Sequence, residues 1–315
     1  MSATQPPAGA ASSHEGDAAQ RPKDAPPHAS TRQSESGGPC LQAAGGLYRG
    51  MTREAIDAAY NNSAAVLNSA VLMAEFDERS QKLRSAYPHY LDLRYGPAPR
   101  NRIDYFPASR PGPLLVFIHG GYWQARAKEN FSFLANGPLD HGLHVAMVGY
   151  TLAPERSLDG ILGELRAALA WLGQHASRWG TDPQRIVLSG WSAGAHLATL
   201  LMDAPGVLGA LAISGIYDLE PIRLSYLNEK LCLCPPDVRR LSPIHRPASK
   251  RELVLACGGD ELPEWQRQSE AYAAVRAGLP GTLLRVPDRN HFTILEELAS
   301  PDGILTQHAC RLAGL

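Results

Sequence analysis

Residues 186–196 read Ile186-Val187-Leu188-Ser189-Gly190-Trp191-Ser192-Ala193-Gly194-Ala195-His196. A strand-length apolar run passes into Gly-x-Ser-x-Gly, and a helix is expected from about Ala193, so the stretch reads as strand, sharp turn, helix. Glycines stand two positions to either side of Ser192 because such a turn crowds strand against helix, where a side chain would collide. The turn pushes the hydroxyl into the cleft above the strand end. Ser192 is therefore the candidate nucleophile, and the flanking strand and helix, more than the pentapeptide, carry that reading.

Working outward, strands expected at 102–106, 114–118, 144–149, 186–189, 208–214, 252–257 and 283–286 alternate with helical stretches. Leu158, Ile161, Leu162, Leu165, Leu169 and Leu172 make one apolar stripe over 158–179, which Gly180 ends. A second helix is expected over 263–277. The runs 114–118 and 208–213 are apolar throughout, as strands covered on both faces must be. The pattern predicts an α/β fold, a mostly parallel central sheet flanked by helices. Residues 1–45 hold almost no large apolar side chain and read as a disordered tail. Residues 46–100 read as a helical N-terminal arm and 101–315 as the catalytic domain. Proline-rich, irregular 217–250 is a candidate lid or cap.

The 315 residues are 44% hydrophobic and 19% charged, with 30 basic and 31 acidic side chains and a formal charge of -1. No basic stripe could neutralise a row of phosphates, so a nucleic-acid partner is not expected. No apolar run approaches the roughly 20 residues of a bilayer span, and the N-terminus lacks a secretory pattern, so no membrane partner and a cytoplasmic location are expected. Five cysteines, an odd number without paired spacing, suit reduced thiols. Cys232 and Cys234 lack the second ligand pair of a zinc site, so no metal is assigned. A homodimer is left open.

A serine nucleophile needs a base and an acid to orient it. His291 lies in the loop Pro287-Asp288-Arg289-Asn290-His291-Phe292, after the strand at 283–286. The preceding strand runs into Gly258-Gly259-Asp260-Glu261. Asp260 is the preferred acid because it comes directly off the Gly-Gly turn; Glu261 and Asp218 are the competitors. His196, four positions past Ser192, reads as a packing residue. The loop His119-Gly120-Gly121-Tyr122-Trp123 follows the strand at 114–118, and its small residues let backbone N–H groups approach a developing oxyanion. Gly120, Gly121 and Ala193 are the candidate oxyanion donors. Tyr122, Trp123 and Trp191 flank these loops as candidate substrate-binding aromatics.

The segments HGGYW, GWSAGAH, GGDE and NHF, in the order Ser192, acid, His291 over about 105–298, resemble the esterase and lipase branch of the α/β-hydrolases. Trp123, and Tyr60-Asn61-Asn62 in the arm, resemble the kynurenine formamidase (arylformamidase) group more narrowly. That resemblance implies hydrolysis of N-formyl-L-kynurenine, a small-molecule substrate, to formate and L-kynurenine, a step of tryptophan breakdown. It implies a formyl-enzyme on Ser192 and no cofactor. A carboxylesterase for small acyl esters would use the same residues, while a non-catalytic binding protein on this fold would have no need to keep nucleophile, base and acid together.

Overall fold

The computed structural model describes residues 46–315; the expected tail at 1–45 lies outside them. Eight strands form one sheet: β1 (Leu93–Arg94), β2 (Arg102–Phe106), β3 (Gly112–Ile118), β4 (His144–Val148), β5 (Thr181–Trp191), β6 (Val207–Ile213), β7 (Glu252–Gly258) and β8 (Gly281–Val286). Their order is β1-β2-β4-β3-β5-β6-β7-β8. β2 pairs antiparallel with β1 and β4, and every other pairing is parallel. This is the α/β-hydrolase arrangement implied by the sequence. The helix Leu158–His175 begins on Ser157, whose hydroxyl accepts from the Gly160 amide, and continues as a 3-10 turn to Trp179 before Gly180 adopts φ 84.

Alternate residues of β3 feed two cores, one on each side of the sheet. Leu114, Val116 and Ile118 pack with the Leu158–His175 helix, the Ala193–Leu200 helix and Trp265. Leu115 and Phe117 pack with Phe131, Phe133, Leu305 and Leu312. The N-terminal arm contributes to both. Ile56 and Tyr60 enter the first core, and Met73 and Phe76, from the helix Ser69–Ser85, enter the second. The arm is thus part of the core rather than an appendage. Residues 217–250 carry short helices, Glu220–Arg223, Asn228–Leu231 and Pro235–Leu241, with Ile222, Leu231, Val238 and Leu241 buried in the first core. Among the described residues no helix is long and apolar enough to cross a membrane.

A buried ion cluster ties the arm to the sheet. The Lys128 ammonium, 3% exposed, lies 2.8 Å from Asp104 Oδ1, 2.7 Å from Asp92 Oδ1 and 2.6 Å from Glu129 Oε1. Arg84 from the arm helix pairs with the same fully buried Asp104 carboxylate. Burial raises the Asp104 pKa against the pull of Lys128 and Arg84. Removing one partner of such a cluster leaves charge unpaired in a low-dielectric interior. Lys128→Met is expected to lower the unfolding free energy by about 3 kcal/mol, read by urea denaturation against the wild type.

Candidate functional site

The site is assembled at the C-terminal ends of β3, β5, β6 and β7, where a parallel sheet with this order opens a crevice. Ser192 leaves β5 at φ 58 and ψ -120, a strained conformation for a residue bearing a Cβ. Its amide donates to Ile213 O at 2.8 Å, and it is 2% exposed. A Cβ on Gly190 would collide with Gly194, and one on Gly194 with the carbonyl oxygen of Ile118. Both glycines are therefore required by contact as well as by the turn. Ala193 opens the helix Ala193–Leu200, so its amide has no acceptor within the helix.

The loop after β3 lies beside this turn. A Cβ on Gly120 would approach Trp191 O to 2.7 Å and Ser192 Cβ to 3.0 Å, which places the Gly120 backbone against the serine. Gly121 adopts φ 103, and its carbonyl accepts from the Gln124 and Ala125 amides, each at 3.0 Å. Tyr122 and Trp123 follow at φ 51 and 59, so the loop reverses through a run of left-handed residues. His119 anchors its start: the ring stacks on Tyr150 at 4.3 Å, and Nδ1 donates to Gly120 O at 2.8 Å. Burial holds the His119 pKa down at about 4, so the ring is neutral.

His291 is 3% exposed and lies between two indoles, with ring centroids 4.2 Å from Trp265 and 4.9 Å from Trp191. The Trp191 Nε1–H donates to the His291 carbonyl at 2.8 Å. The acid at its Nδ1 is Glu261, not Asp260. Glu261 Oε2 lies 3.1 Å from Nδ1, and Oε1 accepts from the Ser214 hydroxyl and the Gly258 amide, each at 2.6 Å. Asp260 is exposed, and its amide donates to Arg289 O at 3.0 Å. Of the two adjacent acids on the turn after β7, Glu261 is the buried one, and its carboxylate meets the imidazole. Asp218, the other competitor, accepts from Tyr48 of the arm at 2.8 Å. An acidic side chain fixed by two donors and holding one nitrogen of a buried imidazole can orient that ring and stabilise its cationic form.

Ser192, His291, Gly121, Tyr122 and Trp191 line one cavity of about 170 Å³. Trp123 does not line it. That indole is fully buried, edge-on to His196 with centroids 5.0 Å apart, so it packs instead of facing the cavity. His196 Nε2 donates to Leu241 O, 2.8 Å away, and burial lowers its pKa to about 4. Sequence reasoning missed much of the remaining wall, which includes Tyr60, Asn62, Arg126, Tyr226 and Phe292. Tyr122 donates to the carbonyl of Tyr60, joining the arm to the loop after β3. The Tyr60-Asn61-Asn62 segment was legible as a resemblance, but nothing local in it indicated that the arm reaches the cavity.

The chain is 32% identical over 254 residues to kynurenine formamidase of Danio rerio, covering 75% of this chain and 85% of that protein. It is 33% identical over 257 residues to the Salmo salar kynurenine formamidase, covering 75% and 86%. The chain belongs to the kynurenine formamidase family. The BD-FAE family model matches residues 105–204, from the end of β2 past the Ser192 turn. A crystal structure from Silicibacter sp. tm1040 superposes with a TM-score of 0.72 at 28% identity, covering 80% of this chain and 97% of that one. Like the esterases of this fold, this member of the formamidase family is a hydrolase.

The buried, neutral His119 and His196 rings make stability depend on pH. Their folded pKa values lie below that of an unfolded histidine, so the unfolded chain binds more protons between about pH 4 and 6.5. Stability is fully present above that window and is lost as pH falls through it, by up to about 1.4 kcal/mol per pH unit for each ring. Urea unfolding at pH 7, 6 and 5 is expected to show this fall. His196→Gln, which keeps a donor for Leu241 O, is expected to remove the share of that slope that His196 contributes.

Proposed function

We propose that this chain hydrolyses N-formyl-L-kynurenine to formate and L-kynurenine through Ser192, His291 and Glu261. The observation that carries the reading is that Ser192, on its strained turn, lines the same cavity as a histidine held at Nδ1 by a buried carboxylate. The substrate is drawn from the relatives, which are named kynurenine formamidase.

In this mechanism Ser192 Oγ attacks the formyl carbon while His291 Nε2, the nitrogen not held by Glu261, takes the hydroxyl proton. Glu261 stabilises the imidazolium that forms. The negative charge developing on the formyl oxygen is stabilised by the amides of Ala193, Gly121 and Gly120. His291 returns its proton to the aniline nitrogen as the C–N bond breaks. Water, deprotonated by the same imidazole, then attacks the formyl-enzyme and releases formate. Tyr122, Trp191 and Phe292 supply aromatic walls suited to an aryl leaving group.

Formate release from N-formyl-L-kynurenine is expected for the wild type and is expected to fall about 10⁴-fold or more in Ser192→Ala. Ser192-dependent cleavage of p-nitrophenyl acetate without formate release would instead identify a carboxylesterase. The choice of acid is tested separately. Glu261→Gln keeps the shape but loses the charge, and is expected to lower kcat by about 10²- to 10⁴-fold. Asp260→Asn, at an exposed position, is expected to stay within about twofold of the wild type. The reverse pattern would return the role to Asp260.

A further inference from the structure

Ser214 takes no part in the steps described above, yet its placement is strained. It follows β6 at φ 50, a left-handed conformation that penalises any residue with a Cβ, and it is fully buried. A glycine would adopt that backbone freely, and the chain has one a single position later, at Gly215, where an added Cβ would collide with the Tyr217 ring. A side chain is thus kept at the position where the backbone favours none. What it supplies is a hydroxyl, which donates to Glu261 Oε1 at 2.6 Å. Among the described residues, Ser214 and His291 are the two side chains that bond this carboxylate. The buried serine of the neighbouring strand differs: Ser189 of β5 donates to a backbone carbonyl, Leu211 O, at 3.0 Å.

The backbone at Ser214 ties the nucleophile to the acid. The peptide unit joining Ile213 to Ser214 accepts the Ser192 amide at Ile213 O, 2.8 Å away, and its own N–H donates to Ala256 O of β7 at 2.7 Å. One side of the unit is therefore fixed to the turn that presents Ser192 and the other to the strand that leads to Glu261. From this pinned position the hydroxyl reaches Oε1, which also accepts from the Gly258 amide, and Oε2 is left for His291 Nδ1. A glutamate has one more torsion than an aspartate, and its terminal torsion is broad, so an acid of this length needs restraint to keep one oxygen on the imidazole. Two donors on Oε1 supply that restraint, since the carboxylate cannot swing without breaking both.

We propose that Ser214 is a positioning residue for hydrolysis at Ser192, acting through Glu261 by holding Oε1 so that Oε2 stays on His291. The proposal rests on the reading of Ser192, His291 and Glu261 as the reacting set. Ser214 does not line the cavity, so it acts on turnover and not on substrate binding.

The test is steady-state hydrolysis of p-nitrophenyl acetate by the full-length protein and its variants, a reaction that needs the three residues but not a formamide. Ser214→Ala is expected to lower kcat about tenfold or more, as loss of a hydrogen bond to a charged group does, with KM within about twofold of the wild type. Ser214→Gly, whose backbone accepts φ 50 without strain, guards against a misfolded alanine variant and is expected to lose the same factor. In the Glu261→Gln background, Ser214→Ala is expected to cost less than about twofold, because the charge it serves is gone. Wild-type kcat in Ser214→Ala or Ser214→Gly, a loss carried by KM, or full additivity with Glu261→Gln would overturn the proposal. Wild-type kcat in Glu261→Gln, or turnover that survives Ser192→Ala, would overturn the reading beneath it as well, so the two failures are told apart by which variant keeps its rate.

Discussion

The close approach of Gly194 to the end of β3 is the contact on which the site depends. With no Cβ at Gly190 or Gly194, the helix after Ser192 can start directly against the Ile118 carbonyl. That proximity forces the strained turn, and it brings the loop leaving β3 beside the serine. One steric constraint thus sets the hydroxyl, the first amide of the helix and the Gly120-Gly121 backbone in a single place. Either side chain added there would separate the strand from the helix and dismantle all three together.

Around this fixed point the imidazole is held by packing as much as by hydrogen bonding. His291 is confined between Trp191 and Trp265, its carbonyl receives the Trp191 N–H, and Glu261 takes Nδ1. Trp191 is also the residue before Ser192, so the turn that presents the serine carries one wall of the histidine's slot. Glu261 is in turn restrained by donors from the ends of β6 and β7. Groups fixed in this way lose little entropy on engaging a substrate.

The arm changes how the site is bounded. Tyr60 is buried in the first core, accepts Tyr122 at its carbonyl and receives Gln268 at its hydroxyl, 2.9 Å away. Residues before the sheet therefore form part of the cavity wall, and the Lys128 cluster anchors the same arm a few residues beyond the loop that carries Arg126. Part of the cavity wall and part of the buried ion cluster thus lie in one short stretch of chain, 119–129.

The parallel sheet, the turn at Ser192 and the position of His291 were legible in the sequence because each leaves a local mark: apolar runs with period, glycines at fixed offsets, a histidine after the last strand. The acid was not, since Asp260 and Glu261 are adjacent and only the path of the turn after β7 decides which carboxylate lies under the imidazole. Trp123 sits in the quoted motif yet turns into the core against His196, and Arg126 carries no motif at all. By itself the sequence determined the fold and the turn that carries Ser192, because periodicity and steric exclusion act between residues close along the chain. Only the tertiary structure decided the acid, the facing of each aromatic and the arm's place in the cavity wall, because those depend on side-chain directions and contacts between segments as far apart as Tyr60 and Gln268.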